Sequence, residues 1–74
     1  MRFPSKEIVA SLRSQYPAGC RVLLIEWNDP YRHMPEGLEG TVVCVDDTGT
    51  IHVNWDNGSS LSAIYGVDRI KKLE

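Results

Sequence analysis

Gly40 to Leu61 reads GTVVCVDDTGTIHVNWDNGSSL, and this stretch decides how the chain folds. It contains three runs rich in β-branched and aromatic residues, and each of the two turns between them ends in glycine. Such runs, bounded by Asp, Asn and Gly, are typical of antiparallel strands joined by tight hairpin turns. The stretch therefore predicts a three-stranded meander.

The register of the second hairpin can be predicted from the face that it would bury. A two-residue Asn57-Gly58 loop would put Leu61 on the polar face, whereas a three-residue loop that begins at Asp56 pairs Val53 with Leu61. The three-residue loop gathers apolar residues on one face: Ile51, Val53, Trp55, Leu61 and Ala63. Since a one-residue slip inverts every side chain, we predict the three-residue loop, with Gly58 at positive φ.

The first hairpin leaves two registers open. A three-residue loop would put Val43 and Val45 on the core face, whereas a four-residue loop would put Val42 and Cys44 there. Both pairs are apolar, so the hydrophobic pattern does not choose between them.

The segments around the meander complete a small mixed domain. Ser5 is a good N-cap, and an apolar stripe at helical spacing predicts a helix over residues 5–16. The stripe consists of Ile8, Val9, Leu12 and Tyr16. A first strand is predicted over residues 20–27. Its apolar residues run without a break from Val22 to Ile25, so we expect both faces to be partly covered, the second by the helix.

Two shorter strands and a long loop account for the remainder. The fourth strand is predicted to end at residues 62–65, and the last covers residues 69–73. The loop before Gly40 is about a dozen residues long, which is unusual in so small a domain and typical of a functional element. These elements predict an α+β, mainly β, fold: a small five-stranded SH3-like barrel over residues 20–73, with the N-terminal helix packed on it, in a single domain over residues 1–74.

Composition narrows the class of protein. The chain has 74 residues, a net charge of −2 and a pI near 5.6, which argues against the basic surface expected of a nucleic-acid-binding domain. No apolar run approaches the ~20 residues of a membrane span and no signal peptide is visible, so we expect a cytoplasmic protein with no membrane partner. Cys20 and Cys44 are expected to be buried and reduced. Neither they nor His33 and His52 form the close pairs typical of zinc sites, so no metal or other cofactor is expected.

Three segments resemble known families. PAGCRVLLIEWNDPY (17–31), GTVVCVDDTGTIHVNWDNGSSL (40–61) and IYGVDRIKKL (64–73) resemble a small domain-of-unknown-function family of phage and conjugative-element proteins of Gram-positive bacteria. The V-x-W-D-x-G run at residues 53–58, followed by Tyr65-Gly66, more weakly resembles the mind-bomb repeat, an SH3-like domain that binds peptide tails. The first resemblance implies an accessory role in a mobile element, and the second implies a mode of binding.

We expect a binding module and not an enzyme. His52 would lie beside Ser62 on the outward face, but an open strand face offers no oxyanion site, so no catalytic residues are expected. The aromatic residues outside the predicted core, with two charged neighbours of the long loop, form the candidate site: Trp27, Asp29, Tyr31, Arg32 and Tyr65. In a bent barrel the long loop can fold back beside the fourth strand, where the two tyrosines would accept a protein or peptide partner.

Nucleic-acid binding is the alternative function. The C-terminal strand carries Arg69, Lys71 and Lys72, and Arg21 and Arg13 could extend this basic patch. A nucleic-acid-binding accessory or regulatory protein would use such a patch to neutralise phosphates, although the acidic turns of the meander oppose it.

Overall fold

The computed structural model describes residues 5–28, 31 and 33–73. One helix, α1 (Lys6–Gln15), precedes five strands. The strands are β1 (Arg21–Glu26), β2 (Glu39–Val45), β3 (Thr50–Trp55), β4 (Ala63–Ile64) and β5 (Arg69–Leu73). They form one antiparallel sheet in the order β4-β3-β2-β1-β5. The mainly β fold with an N-terminal helix is confirmed. The sheet is not closed, since β4 and β5 are its two edges, and the SH3-like barrel is not confirmed.

Helix α1 begins and ends where its local signals predict. The Ser5 hydroxyl accepts a hydrogen bond from the backbone N–H of Ile8 at 3.3 Å, so the first turn is capped. The last turn closes when the N–H of Tyr16 donates to the carbonyl of Leu12 at 2.8 Å, and Pro17 follows. The predicted apolar stripe is confirmed: two of its members are buried and two pack against the core.

The helix covers the core face of the sheet. Leu12 belongs to the same buried cluster as Val22 and Leu24 of β1. The expectation that α1 covers the second face of β1 is wrong, because the helix packs on the face of Val22 and Leu24. The second face is nevertheless partly covered, since Leu23 is half-buried and Ile25 is 39% exposed. The continuous apolar run in β1 therefore reflects one buried face and one that remains partly open to solvent.

The core is built from the inward residues of the meander and β1. Its buried members are Leu12, Val22, Leu24, Met34, Val42, Val45, Ile51, Val53, Trp55 and Ala63. Val22, Leu24, Val42 and Val53 are almost completely removed from water, and each such burial contributes about 1.5–3 kcal/mol. The indole N–H of Trp55 donates to the Leu61 carbonyl at 2.8 Å, so burial of this polar group leaves it satisfied.

The long loop after β1 is anchored at its C-terminal end and by one buried side chain. Leu24 accepts from the N–H of Gly37 and donates to the carbonyl of Leu38, each at 2.8 Å, which extends the pairing of β1 with β2. Met34 is 3% exposed and fills the core. Asp29 and Arg32, two residues of the candidate binding site, lie outside the described residues.

The second hairpin has the predicted register. Thr50 pairs with Ile64 and Ile51 with Ala63, and the same register sets Val53 opposite Leu61. The three-residue loop closes when the N–H of Trp55 donates to the Ser59 carbonyl at 2.8 Å. Gly58 has a φ of 90°, as predicted, and Leu61 packs against the core. Burial of one apolar face was therefore sufficient to choose this loop.

The first hairpin combines both of the registers left open by the sequence. Beside the turn Val45 pairs with Ile51 and Cys44 with His52, but further along Val42 pairs with Val53. A β-bulge at Val43 separates the two registers, so Val42 and Val45 are both buried while Val43 and Cys44 both point outward. The expectation that Cys44 is buried is wrong, and Cys20 is half-buried against the core.

Two glycines are required for different reasons, and substitution of each by alanine should lower stability by a different amount. A Cβ on Gly58 would meet nothing within 4 Å, so Gly58→Ala should cost about 1 kcal/mol through its positive φ alone. A Cβ on Gly40 would lie 2.7 Å from Cγ1 of Val53 and 2.8 Å from Cε3 of Trp55. Gly40→Ala should therefore cost more, about 1–3 kcal/mol of overpacking.

Chemical denaturation would measure both losses. Gly58→Asn is the control, because asparagine tolerates the left-handed conformation better than alanine and should retain more stability. A Gly40→Ala variant with the same free energy of unfolding as the wild type would contradict the close packing at this position.

The bulge predicts unequal reactivity of the two thiols. Cys44 is exposed and Cys20 is half-buried, so a thiol reagent added to the native protein should label Cys44 first. Cys44→Ser should remove the fast phase of labelling and Cys20→Ser should leave it. If the fast phase of labelling persists in Cys44→Ser, the exposure of Cys44 on the outward face of β2 would be contradicted.

Candidate functional site

An open cleft of about 530 Å³ lies where the two edges of the sheet approach the end of α1. One wall is β4 with the turn that follows it, the opposite wall is the start of β5, and the helix contributes Gln15 and Tyr16. The end of β1 closes the cleft with Glu26 and Asn28. Its volume is in the range that binds small ligands or a few side chains of a peptide.

The cleft concentrates exposed apolar side chains. The large hydrophobic residues left exposed in the described part of the chain are Ile25, Tyr31, Val43, Ile64, Tyr65 and Val67. Half of this set lines the cleft: Ile64 is 49% exposed, Tyr65 47% and Val67 46%. Exposed apolar groups that cluster beside a concave surface are typical of binding sites, whereas scattered ones need no explanation.

Asp68 holds the turn that carries these apolar residues. Its carboxylate accepts from the backbone N–H of Asn28 at 2.9 Å and of Ile64 at 3.1 Å, and its own N–H donates to the Ile64 carbonyl at 2.9 Å. The Asn28 amide donates to the Val67 carbonyl at 2.5 Å. The turn is thus tied to the end of β1, and its apolar side chains are held in place before any ligand arrives.

Tyr16 forms the helical side of the cleft. Its hydroxyl lies 3.5 Å from the carbonyl of Ile70 in β5, and its ring packs against the core. Burial raises the pKa of the Tyr16 phenol above its ordinary value, and the nearby Cys20 thiol adds to this rise. The phenol is therefore a neutral donor at physiological pH.

The sequence-predicted site residues are distributed over several places. Tyr65 lines the cleft, whereas Trp27 is half-buried against the core and Tyr31 is 91% exposed. The described lining of the cleft includes neither Trp27 nor Tyr31, and Asp29 and Arg32 lie outside the described residues. A joint role of these five residues in binding stays a prediction. Sequence reasoning missed Ile64, Val67 and Asp68, whose roles depend on tertiary contacts.

A polar network on the outward face joins the first turn of the meander to the segment that leads into β4. The Ser62 hydroxyl lies 3.0 Å from Nδ1 of His52, as the hairpin register predicts, and Nε2 of His52 lies 2.9 Å from the carboxylate of Asp46. Serine, histidine and aspartate in this order are also found in hydrolases. Ser62 does not line the cleft, and His52 and Asp46 are both about 40% exposed on an open face.

Asp46 acts mainly as the organiser of its own turn. Its Oδ1 accepts from the Thr48 hydroxyl at 2.6 Å, from the Thr48 N–H at 2.9 Å and from the Thr50 N–H at 3.0 Å. The hydroxyl of Thr48, followed by His52, holds the pKa of Asp46 well below its ordinary value. The network therefore fixes the turn and connects it to Ser62.

The acidic turns neutralise two arginines of the predicted basic patch. Arg21 forms a fork with the Asp56 carboxylate at 2.9 and 2.5 Å, and lies 3.4 Å from Glu39. These contacts raise the pKa of Arg21, and Arg21 lowers that of Asp56. Arg13 reaches Asp47 at 2.7 Å. Neither arginine is available to extend a phosphate-binding surface without breaking an existing ion pair.

The basic residues of β5 differ from these two arginines, because they have no close ion pair with a described carboxylate. Arg69 is 72% exposed in its side chain, and its contact with Glu26 is long, at 4.0 Å. Lys71 and Lys72 are exposed, and neither forms an ion pair with any described residue. Among the described residues, most of the positive charge without a close carboxylate partner is thus on the edge strand beside the cleft, and Lys6 on α1 is the exception.

Two further features bear on the class of site. Within residues 5–28, 31 and 33–73, no three His, Cys, Asp or Glu side chains are grouped so that they could hold a metal ion. In the same residues, no helix has the length and apolar character required to cross a membrane.

Comparison with known proteins identifies a family. The profile of the family described as "Domain of unknown function (DUF4314)" matches residues 5–73. No curated protein and no solved structure matches the chain. The expected membership of a small domain-of-unknown-function family is confirmed. The resemblance to mind-bomb repeats and the context of a mobile element stay predictions.

The low pKa of Asp46 predicts a dependence of stability on pH. An unfolded aspartate titrates near pH 3.9 and the folded carboxyl titrates lower, so its stabilisation is complete above about pH 4 and is lost as the pH falls below that value. Asp46→Asn should therefore be less stable than the wild type near neutral pH, and the difference should shrink towards about pH 3.

Denaturation midpoints at several pH values would measure this effect. Thr48→Val is the matched control, because it keeps the carboxyl and removes the hydroxyl that lowers its pKa most, so its pH dependence should be intermediate. Equal pH dependence in the wild type and Asp46→Asn would contradict the role of this carboxylate.

Proposed function

The chain belongs to the DUF4314 family, and we propose that it is a small, non-enzymatic accessory module whose cleft binds a segment of a protein or peptide. The observation that carries this proposal is the exposure of Ile64, Tyr65 and Val67 on one concave surface. Their apolar area is available for burial by a partner at roughly 25 cal/mol per Å².

The rigidity of the cleft supports a binding role. Asp68 and Asn28 hold the turn that carries the apolar residues, so little conformational freedom remains to be lost when a partner docks. Tyr65 adds an amphipathic ring with few rotatable bonds, a property that makes tyrosine common at binding hot spots.

We extend the proposal to architecture and biological context. The strand order sets β4 and β5 at the two edges of the sheet, yet these edge strands are in contact with each other. A sheet that curves enough to bring its edges together supports an SH3-like barrel left open at the cleft. SH3-like domains bind extended peptides on aromatic-lined grooves, and mind-bomb repeats, which this sequence resembles, bind peptide tails. The resemblance to phage and conjugative-element proteins supports a role in a mobile element.

Nucleic-acid binding is the weaker alternative. Arg13 and Arg21 are paired with Asp47 and Asp56, so the predicted basic patch is reduced to the residues of β5. Phosphate contacts would also leave the apolar residues of the cleft unused. An affinity that falls steeply with rising salt would favour this alternative, because counterion release drives such binding.

A displayed library of short random peptides, selected on the full chain, tests the proposal. A selected peptide is synthesised and its dissociation constant is measured with variants of the protein. Tyr65→Ala and Ile64→Ser should each weaken binding by about 1–2 kcal/mol, or roughly 5–30-fold, because both side chains become desolvated. Tyr31→Ala should have a similar effect if the predicted loop contribution holds.

Val43→Ala is the matched control. Val43 is as exposed as Val67 but lies on the outward bulge of β2, so the variant should bind like the wild type. Circular dichroism would verify that every variant is folded. The proposal is overturned if no peptide is selected, or if the selected peptides are insensitive to both cleft variants.

A further inference from the structure

We infer that the partner segment is an acidic, extended peptide that adds as a strand to the free edge of β5 and inserts apolar side chains into the cleft. The inference rests on the proposed function and names its ligand and mode of binding. It is carried by three observations: the edge of β5 that pairs with no described strand, the alternation of its first three side chains and its unneutralised positive charge.

Strand β5 has one edge paired with β1 and one edge that pairs with no strand among the described residues. It is the last strand of the sheet and pairs with β1 alone, from Arg69 opposite Glu26 to Leu73 opposite Arg21. The Tyr16 hydroxyl approaches the carbonyl of Ile70 from the cleft side, so the backbone groups of Ile70 point away from β1. Backbone orientation repeats every second residue, so the groups of Lys72 face the same way. An extended peptide can pair with this edge as strands do in β-augmentation, and it would replace the long contact of the Tyr16 hydroxyl with the Ile70 carbonyl.

The side chains of β5 specify an alternating ligand. Arg69 and Lys71 lie on one face of the strand and Ile70 lies on the other, against the core, and both Arg69 and Ile70 line the cleft. The alternation ends there, because Lys72 is exposed although it shares the side of Ile70, and Leu73 is half-buried. Cross-strand neighbours share a face, so a paired peptide would set alternate residues beside the two cations and the intervening residues beside Ile70. Acidic residues beside the two cations, alternating with apolar residues beside Ile70, would match this surface.

The charges of the surface favour an acidic peptide. Arg69 has only the long contact with Glu26, and Lys71 and Lys72 have no ion-pair partner in the portion of the chain that is described. The arginines elsewhere on the sheet and on α1 are already paired with turn carboxylates. Although the whole chain carries a net charge of −2, three of the four described cations without a close carboxylate partner, Arg69, Lys71 and Lys72, lie on this strand, and the fourth is Lys6 on α1. Charge complementarity of this kind steers association and fixes register.

The peptides selected above provide the first measurement. We expect them to alternate acidic with apolar residues. Lys71→Glu should weaken binding of the synthesised peptide about tenfold, and Lys71→Gln should weaken it less. Lys6→Glu makes the same change of charge on α1 and should have little effect on this affinity. Methylation of alternate backbone nitrogens of the peptide should abolish binding in one frame only, because a paired strand directs every second N–H to its neighbour.

The outcomes separate this inference from the proposed function. Peptides that lose affinity with Tyr65→Ala, yet carry no acidic bias and ignore Lys71→Glu, would overturn the inference and leave the proposed function standing. Binders that ignore the cleft variants, or the absence of any binder, would overturn both. Single-stranded oligo-dT is the remaining probe. This probe could bind in a salt-sensitive way that Lys71→Glu abolishes, while the selected peptides include no acidic ones. That result would assign the edge to nucleic acid and overturn the inference.

Discussion

The packing of Trp55 on Gly40 is the constraint on which the rest of the fold depends. Trp55 is the last residue of β3, is 3% exposed and stands opposite Gly40 of β2. The absence of a side chain on Gly40 leaves room for the indole ring. The indole N–H then reaches forward to the Leu61 carbonyl, in the segment that leads to β4. One side chain therefore joins three consecutive strands of the meander, and the position of the cleft depends on it, because β4 forms a wall of that cleft.

Local chemistry was sufficient to predict the elements whose signals lie within a few residues of one another. The cap at Ser5 and the glycine at the end of the second turn each act within one turn of chain. The bulge in β2 could not be predicted in this way. Val42, Val43, Cys44 and Val45 are all apolar, so every register buries something suitable, and the choice depends on how β2 curves over the rest of the core. The same degeneracy explains why the exposure of Cys44 was missed.

The candidate site was predictable only in part, for a related reason. Tyr65 could be singled out as an aromatic residue beyond the predicted core. Asp68 could not, because its carboxylate accepts a hydrogen bond from Asn28, which follows β1 and is far away in sequence. The Arg21–Asp56 pair likewise links β1 to the second turn, so its effect on the basic patch becomes visible only when the two strands are placed. Functional surfaces in a small sheet are assembled at edges and corners, and those are the regions where sequence neighbours contribute least.

The bulge at Val43 also bears on how this chain can change length. If residue 43 were removed, Val42 and Val45 would still face the core, because the remaining residues of β2 would alternate regularly. No other side chain would have to change sides. What the sheet would lose is the local bend that a bulge imposes on its strand. The shape of β2 is thus encoded by a single inserted residue, whereas its pattern of burial is encoded by all the others. The two properties can therefore be altered independently, and the curvature of the sheet can be adjusted by one insertion or deletion without redesign of the core.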